Sequence, residues 1–332
     1  MTPAELGIRE VSDICNEVLE RVGNAVVGKR DELRLILAAI LAGGHVLIED
    51  IPGIGKTLAA RSLAQALGLR FGRIQFTPDL LPADVTGSFI YNQRTQEFDF
   101  RAGPVFANLL LADEINRTPP RTQAALLEAM QEEQVTVEGE THELEAPFIV
   151  LATANPIEYE GTYQLPEAQL DRFLMRISFG YLDRDGEWQI LARRLERQRE
   201  RITLDAVTDA VGVLAMRAAI ERIPVEASVG RYIVDLTAAT RERPEVLVGA
   251  SPRGALAVML SARALAVVQG RQFVTPDDVK EVTVHALGHR LTLRPETYLK
   301  RTRGDDVVRA VLGDVPVPPT AAIPRYSESQ DP

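Results

Sequence analysis

Asp50-Ile51-Pro52-Gly53-Ile54-Gly55-Lys56-Thr57 is the stretch whose reading decides the fold. Apolar His45-Val46-Leu47-Ile48 leads into it, and Leu58-Ala-Ala-Arg-Ser-Leu-Ala-Gln-Ala-Leu67 follows. A buried strand, a glycine-bearing loop and a helix, in that order, are what a phosphate-binding loop needs. Gly53 and Gly55 let backbone N–H groups close around phosphate oxygens without a Cβ clash. Lys56 would reach the β- and γ-phosphates, and the Thr57 hydroxyl would ligate Mg2+. The helix that begins there points the positive end of its dipole at the anion. Pro52, Gly53, Ile54, Gly55, Lys56, Thr57 and Leu58 are therefore candidate nucleotide contacts. The strict pattern asks for Gly at position 50, where this chain has Asp50. Asp tolerates left-handed backbone better than most residues, so the turn can survive. Its charge near a triphosphate would weaken nucleotide binding.

The chain has 332 residues, which suits two domains, or one large and one small. Hydrophobic residues make 45% and charged residues 25%, so a sizeable core can form. The net charge of −10 argues against sequence-independent DNA wrapping, and nucleic acid is not an expected partner. Cys15 is the only cysteine, which rules out an intrachain disulfide and fits a reducing compartment. Met1–Glu10 has no apolar signal core. The uncharged run from Leu35 to Ile48 is too short to span a bilayer and is broken by Gly43-Gly44. A cytoplasmic protein with no membrane span is expected. His285 and His289 are spaced as helical zinc ligands can be. The metalloprotease pattern needs Glu directly after the first His, where Ala286 stands, so no zinc site is expected.

Residues 10–22 and 29–42 read as helices, with Gly43-Gly44 as a stop. Apolar strand candidates then recur between helices, at His45–Ile48, Arg73–Phe76, Asn108–Ala112, Phe148–Ala154 and Arg176–Phe179. That alternation means a parallel sheet covered by helices. Pro119-Pro120 opens a helix from Arg121 to Glu133. Ser88–Asn92 with Glu97–Arg101 reads as one β-hairpin. Thr136–Glu138 with Thr141–Leu144 reads as another, turning at Gly139-Glu140. From Leu182 onward, segments 186–200, 207–222, 229–241, 253–269 and 276–287 all read as helices, so a second, all-α domain follows. The expected division is an N-terminal helical segment (1–22), an α/β nucleotide-binding core (23–182), an α-helical domain (183–312) and a disordered, proline-rich tail (313–332).

Leu109-Leu-Leu-Ala-Asp113-Glu114 is an apolar strand ending in adjacent carboxylates, 56 positions after Thr57. Adjacent strand residues face opposite ways, so the two acids can have different tasks. Asp113 would hold Mg2+, and Glu114 would orient and polarise the attacking water. Asn155 ends the next strand, and its amide can reach a γ-phosphate or the lytic water. Taken alone, Asn155-Pro156 also reads as a simple turn. Arg172 could serve a phosphoryl transition state or form a surface ion pair with Asp171. Arg253 opens a helix of the second domain, from which it could reach phosphates or face solvent. Arg117 could face a neighbour's phosphate or serve as a surface residue.

Five stretches together carry a resemblance to the MoxR family of AAA+ ATPases. They are Phe76-Thr-Pro-Asp-Leu-Leu-Pro-Ala-Asp-Val-Thr-Gly87, Gly103-Pro-Val-Phe106, Asp113-Glu-Ile-Asn-Arg-Thr-Pro-Pro-Arg-Thr-Gln-Ala-Ala-Leu-Leu-Glu-Ala-Met130, Thr162-Tyr-Gln-Leu-Pro-Glu-Ala-Gln-Leu-Asp-Arg-Phe173 and Gly249-Ala-Ser-Pro-Arg253. The match runs from about Val26 to Arg290. It implies a P-loop AAA+ core with a five-stranded parallel sheet of order 5-1-4-3-2, followed by a C-terminal all-α lid. It makes Asp113 and Glu114 the Walker B pair, Asn155 sensor 1 and Arg253 sensor 2. Arg172 becomes an arginine finger acting on ATP bound by the neighbouring subunit. Val27-Gly28 matches the segment lining the adenine pocket. The implied cofactors are ATP and Mg2+. The implied assembly is a homo-oligomeric ring, commonly a hexamer, with a von Willebrand factor A domain protein as partner. The expected function is chaperone-like remodelling or maturation of protein complexes. A metal-chelatase motor, a nucleic-acid remodeller and a nucleotide-gated scaffold are the rival readings.

Overall fold

The computed structural model describes residues 6–156, 162–163, 165–199, 202–299 and 302–319. Two amphipathic helices come first, α1 (Ile8–Ala25) and α2 (Arg30–Leu41). Val11, Cys15, Val18, Leu19 and Val22 form the buried stripe of α1, at the spacing of one helical face. Strand β1 (His45–Glu49) follows, then α3 (Lys56–Ala66), β2 (Phe71–Gln75), the short α4 (Pro82–Thr86) and a hairpin of β3 (Gly87–Asn92) and β4 (Glu97–Ala102). Next come β5 (Leu109–Asp113), α5 (Pro120–Glu132) and a second hairpin, β6 (Gln134–Val137) with β7 (Glu140–Glu143). Strand β8 (Ile149–Ala154), α6 (Glu167–Leu170) and β9 (Phe173–Ile177) complete the α/β part.

Five of these strands form one parallel sheet in the order β2-β5-β8-β1-β9. Counted along the chain, this is the 5-1-4-3-2 order the resemblance implies. Alternate residues sort onto two cores. Val46, Ile48, Leu109, Leu111, Ile149, Leu151, Met175 and Ile177 join α1, α2, α3 and the later helices. Leu47, Ile74, Leu110, Ala112, Val150 and Ala152 pack with Phe76, Leu126, Met130 and Phe148 on the other face. All the strand C-termini lie at one edge of the sheet, which is where an open α/β sheet places its ligand.

Two strands start earlier than the apolar pattern indicates, at Phe71 rather than Arg73 and at Phe173 rather than Arg176. In β2 the signal is hidden by Gly72, where an added Cβ would meet Ala107 and the Pro104 carbonyl at 2.8 Å. The second hairpin turns at Glu138-Gly139, not Gly139-Glu140. Val137 pairs with Glu140, and both turn residues have positive φ (51° and 89°), as a two-residue primed turn requires.

The C-terminal part is a helical lid region. It contains α7 (Arg184–Arg197), α8 (Ala210–Glu221), α9 (Ala227–Glu242), α10 (Pro252–Val268), α11 (Pro276–Leu287), α12 (Pro295–Leu299) and α13 (Gly304–Asp314). One short antiparallel pair, β10 (Val246–Val248) and β11 (Thr292–Leu293), interrupts what the sequence reads as purely helical. The tail expected from 313 lies largely outside the described residues, although Gly313 and Asp314 still close α13. No helix among the described residues is long and apolar enough to cross a membrane.

The lid covers the outer edge of β9, which would otherwise present unpaired carbonyls. His285 Nδ1 lies 3.1 Å from the Arg176 carbonyl, and His289 Nε2 lies 3.0 Å from that of Phe173. Arg290 donates to the carbonyls of Phe173 (2.8 Å) and Leu174 (3.2 Å). These bonds are what the two histidines four apart do here.

His45 ties β1 to its surroundings. Its Nδ1 accepts from Val150 N at 3.0 Å, so the proton sits on Nε2, which donates to the Met130 carbonyl at 3.0 Å. Burial lowers its pKa to about 4, with the Met130 bond opposing and Arg217 assisting. The imidazole is thus neutral in the fold and protonated in the unfolded chain between about pH 6.5 and 4. Stability is present in full above pH 6.5 and falls as the pH drops through that window. The expected loss from this group is about 3 kcal/mol. Urea midpoints at pH 7.5 and 5 should capture about 2 kcal/mol of it, and a His45→Gln variant should show a smaller acid loss.

Candidate active site

The loop between β1 and α3 has the geometry of an anion cradle. Gly53 and Gly55 have φ of +86° and +89°, and a Cβ added at either meets nothing within 4 Å. The glycines are therefore required by backbone conformation, and open space lies over them. Gly55 caps α3, whose first-turn N–H groups have no partner within the helix. Lys56 Nζ donates to the Asp50 carbonyl at 2.8 Å. Burial lowers the Lys56 pKa, while Asp50, Asp113 and Glu114 oppose that shift, so three carboxylates act on this ammonium. The Asp50 carboxylate is engaged by Ser178 Oγ, Gly180 N and Ile51 N at 2.9, 2.7 and 2.9 Å. Burial pushes its pKa up, but these hydrogen bonds outweigh it and hold the group below the usual carboxylate range.

Asp113 and Glu114 stand at the end of β5, one strand away from β8. Asp113 is buried. Its Oδ1 accepts from Thr153 Oγ1 at 2.7 Å, and its Oδ2 pairs with Arg73 at 2.8 Å. Thr153 Oγ1 also accepts from Glu114 N at 2.8 Å. That bond helps hold Glu114 at φ 58°, ψ 49°, left-handed backbone that costs a non-glycine residue about 1 kcal/mol or more. Such an outlier marks a residue whose direction matters. Glu114 Oε2 accepts from Gln75 Nε2 (2.7 Å) and from Arg117 (3.1 Å). Asn155 is buried directly after β8, and its carbonyl accepts from Asn116 at 3.2 Å. Asp113 already carries a cation, the Arg73 guanidinium. With the Thr57 hydroxyl it offers the hard oxygen donors that suit Mg2+.

Beside the loop lies a cavity of about 460 Å³. It is lined by Val26, Val27, Pro52–Gly55, Leu58, Tyr181, Ile190 and Arg194, among others. The mix of apolar walls and a few cations suits a base and ribose. Val27 lines this space. Gly28 lies outside the lining, with φ +66°, and its missing Cβ makes room for Leu182 Cδ2 at 2.7 Å.

Arg172, read as the arginine finger, and Arg253, read as sensor 2, stand elsewhere. Arg172 does not pair with Asp171. It donates to the Leu127 carbonyl, midway along α5. Asp171 instead gathers Arg290 (2.7 Å) and Arg253 (3.7 Å). Neither Arg172 nor Arg253 lines the cavity. Sequence reasoning missed Thr153, Gln75, Arg73, Lys29 and the arginines of α7. Thr153 had a signal, as a lone hydroxyl in the apolar run of β8. The others are ordinary polar residues whose meaning comes only from the sheet order.

Fold and site together define a P-loop ATPase of the AAA+ class. The profile of the ATPase family associated with various cellular activities (AAA) matches residues 45–175, and that of the AAA lid domain matches residues 238–311. The chain is 46% identical over 309 residues to uncharacterized protein YeaC of Bacillus subtilis (strain 168), covering 93% of this chain and 96% of YeaC. It is 41% identical over 321 residues to chaperone MoxR1 of Mycobacterium tuberculosis, covering 94% and 84%. A solved structure from Cytophaga hutchinsonii ATCC 33406, assigned as an ATPase, superposes with a TM-score of 0.87 at 40% identity, covering 93% and 96%. The chain belongs to the MoxR family of AAA+ ATPases and is an ATP hydrolase. AAA+ ATPases generally assemble into rings.

Proposed function

We propose that this ATPase works as a homo-oligomeric ring, commonly a hexamer, that remodels or matures protein complexes in a chaperone-like manner. The observation that carries the reading is the linked set Lys56, Asp113, Thr153 and Glu114 at the sheet edge, beside a cavity of nucleotide size. The 41% identity to a protein named as a chaperone supports the remodelling role. Lys56 would meet the β- and γ-phosphates, and the N–H groups of residues 53–57 would surround them. Thr57 and Asp113 would hold Mg2+, which supplies charge neutralisation at the phosphates when bound. Glu114 would orient the attacking water once it leaves Gln75, and Asn155 would assist from β8. Arg253, paired with Asp171, and Arg172, resting on the Leu127 carbonyl, both stand away from their own chain's cavity and fit a face that completes a neighbour's site.

Lys56→Ala should abolish ATP binding, read by calorimetry, and unchanged affinity would contradict the phosphate-loop role. The remodelling role is tested by capture from native lysate with Glu114→Gln in ATP. Recovery of a von Willebrand factor A domain protein, absent with Lys56→Ala, is the expected result. Recovery of chelatase subunits or nucleic acid instead would contradict it.

A further inference from the structure

The segment Ser178–Leu182 joins β9 to α7, the first helix of the lid region. Its residues alternate between two buried charges. Ser178 Oγ and Gly180 N donate to Asp50 Oδ2 at 2.9 and 2.7 Å. On the other side Lys29 Nζ donates to the carbonyl of Phe179 and, at 3.3 Å, to that of Tyr181. Asp50 is 7% exposed and Lys29 5%. Asp50 belongs to the phosphate loop, and Lys29 lines the cavity beside it. The connection is therefore gripped from both sides by the nucleotide site itself.

Asp50 meets three parts of the molecule at once. Its N donates to the Ala154 carbonyl at 3.1 Å, next to Asn155. Its carbonyl accepts from Lys56 at 2.8 Å, and its carboxylate holds the connection. The helix that follows has little else to fix it. No residue of α7 is buried, yet Ile190, Arg193 and Arg194 line the cavity. Apolar packing usually sets where a helix sits. Here polar ties do that work, among them Arg193 to the carbonyls of Gly23 and Asn24 at 2.8 and 3.1 Å.

We propose that Asp50 and Lys29 are positioning residues that set α7 over the nucleotide cavity, so that engagement of Lys56 by phosphate is transmitted through Asp50 to residues 178–182. The inference rests on ATP occupying the phosphate loop. When Lys56 turns to a phosphate it releases the Asp50 carbonyl. The Asp50 peptide then keeps its bond to Ala154, and the connection shifts with the carboxylate. Glycine at position 50 has no side chain and lacks this tie.

The test uses the full chain and its Asp50→Ala, Asp50→Asn and Ser178→Ala variants. Amide hydrogen exchange is followed over residues 178–186 without nucleotide, with ADP and with a non-hydrolysable ATP analogue. In the unmodified chain nucleotide should change exchange there by about tenfold. Asp50→Ala should erase that difference and lower kcat by roughly tenfold, with affinity for the analogue changed less than about threefold. Asp50→Asn keeps an oxygen that can accept from Ser178 and Gly180, and should retain most of the difference. Ser178→Ala removes one of the two bonds without touching the loop, and should give an intermediate loss even if Asp50→Ala fails to fold. Variants that bind the analogue and keep the full difference and kcat overturn this proposal alone. An unmodified chain that binds no nucleotide overturns it together with the ATP reading.

Discussion

Arg172→Ala is expected to lower ATP turnover by about 10³-fold or more while leaving ATP affinity nearly unchanged. A guanidinium is always charged, and its planar fork matches the equatorial oxygens of a phosphoryl transition state. Binding of the ground state owes nothing to Arg172 in its own chain, because its side chain rests on the Leu127 carbonyl and does not line the cavity. The expected pattern is thus a loss in kcat with little change in Kd, read by phosphate release and calorimetry. Strong residual turnover would remove Arg172 from the chemistry. Loss of affinity equal to the loss of rate would place it in ground-state binding instead.

Glu114→Gln should stop hydrolysis by roughly 10²–10⁴-fold and leave intact ATP on the protein. The amide keeps the size of the carboxylate and can still meet Arg117. It cannot polarise water as an anion does. The left-handed backbone at Glu114 and its bond to Thr153 fix where the side chain starts. Gln75 and Arg117 fix where it ends. Extraction of bound nucleotide after incubation with ATP and Mg2+ checks the outcome. ATP should be recovered from the variant and ADP from the unmodified chain. ADP on both would contradict the assignment.

Much of this site is legible in the sequence because its parts are contiguous. Asp50–Thr57 and Leu109–Glu114 each combine a strand, its end and the chemistry in one short run. The position of both at one sheet edge follows from parallel strands, which the alternation of elements indicates. Contacts between distant strands are not legible. Gln75 reaches Glu114, and Arg73 reaches Asp113, only because β2 lies beside β5. Asp50 departs from the strict phosphate-loop pattern, and its partners Ser178 and Gly180 lie 128 and 130 positions away. Nothing local to Asp50 announces them. Strand limits were blurred for a related reason, since Gly72 sits in β2 owing to close packing and not to any strand preference. The pair β10–β11 is too short to carry a periodic signal.

The most direct test of the account is a mixing experiment with two inactive variants. Arg172→Ala keeps an intact ATP loop but supplies no finger, and Lys56→Ala keeps the finger but holds no ATP. ATPase activity is measured for each alone and for an equal mixture after exchange of subunits. If each site is completed by its neighbour, about one interface in four of the mixed ring pairs an intact loop with an intact finger. The mixture should then recover turnover that neither variant shows alone. A mixture as inactive as its parts, with subunit exchange verified, would contradict a site shared between subunits.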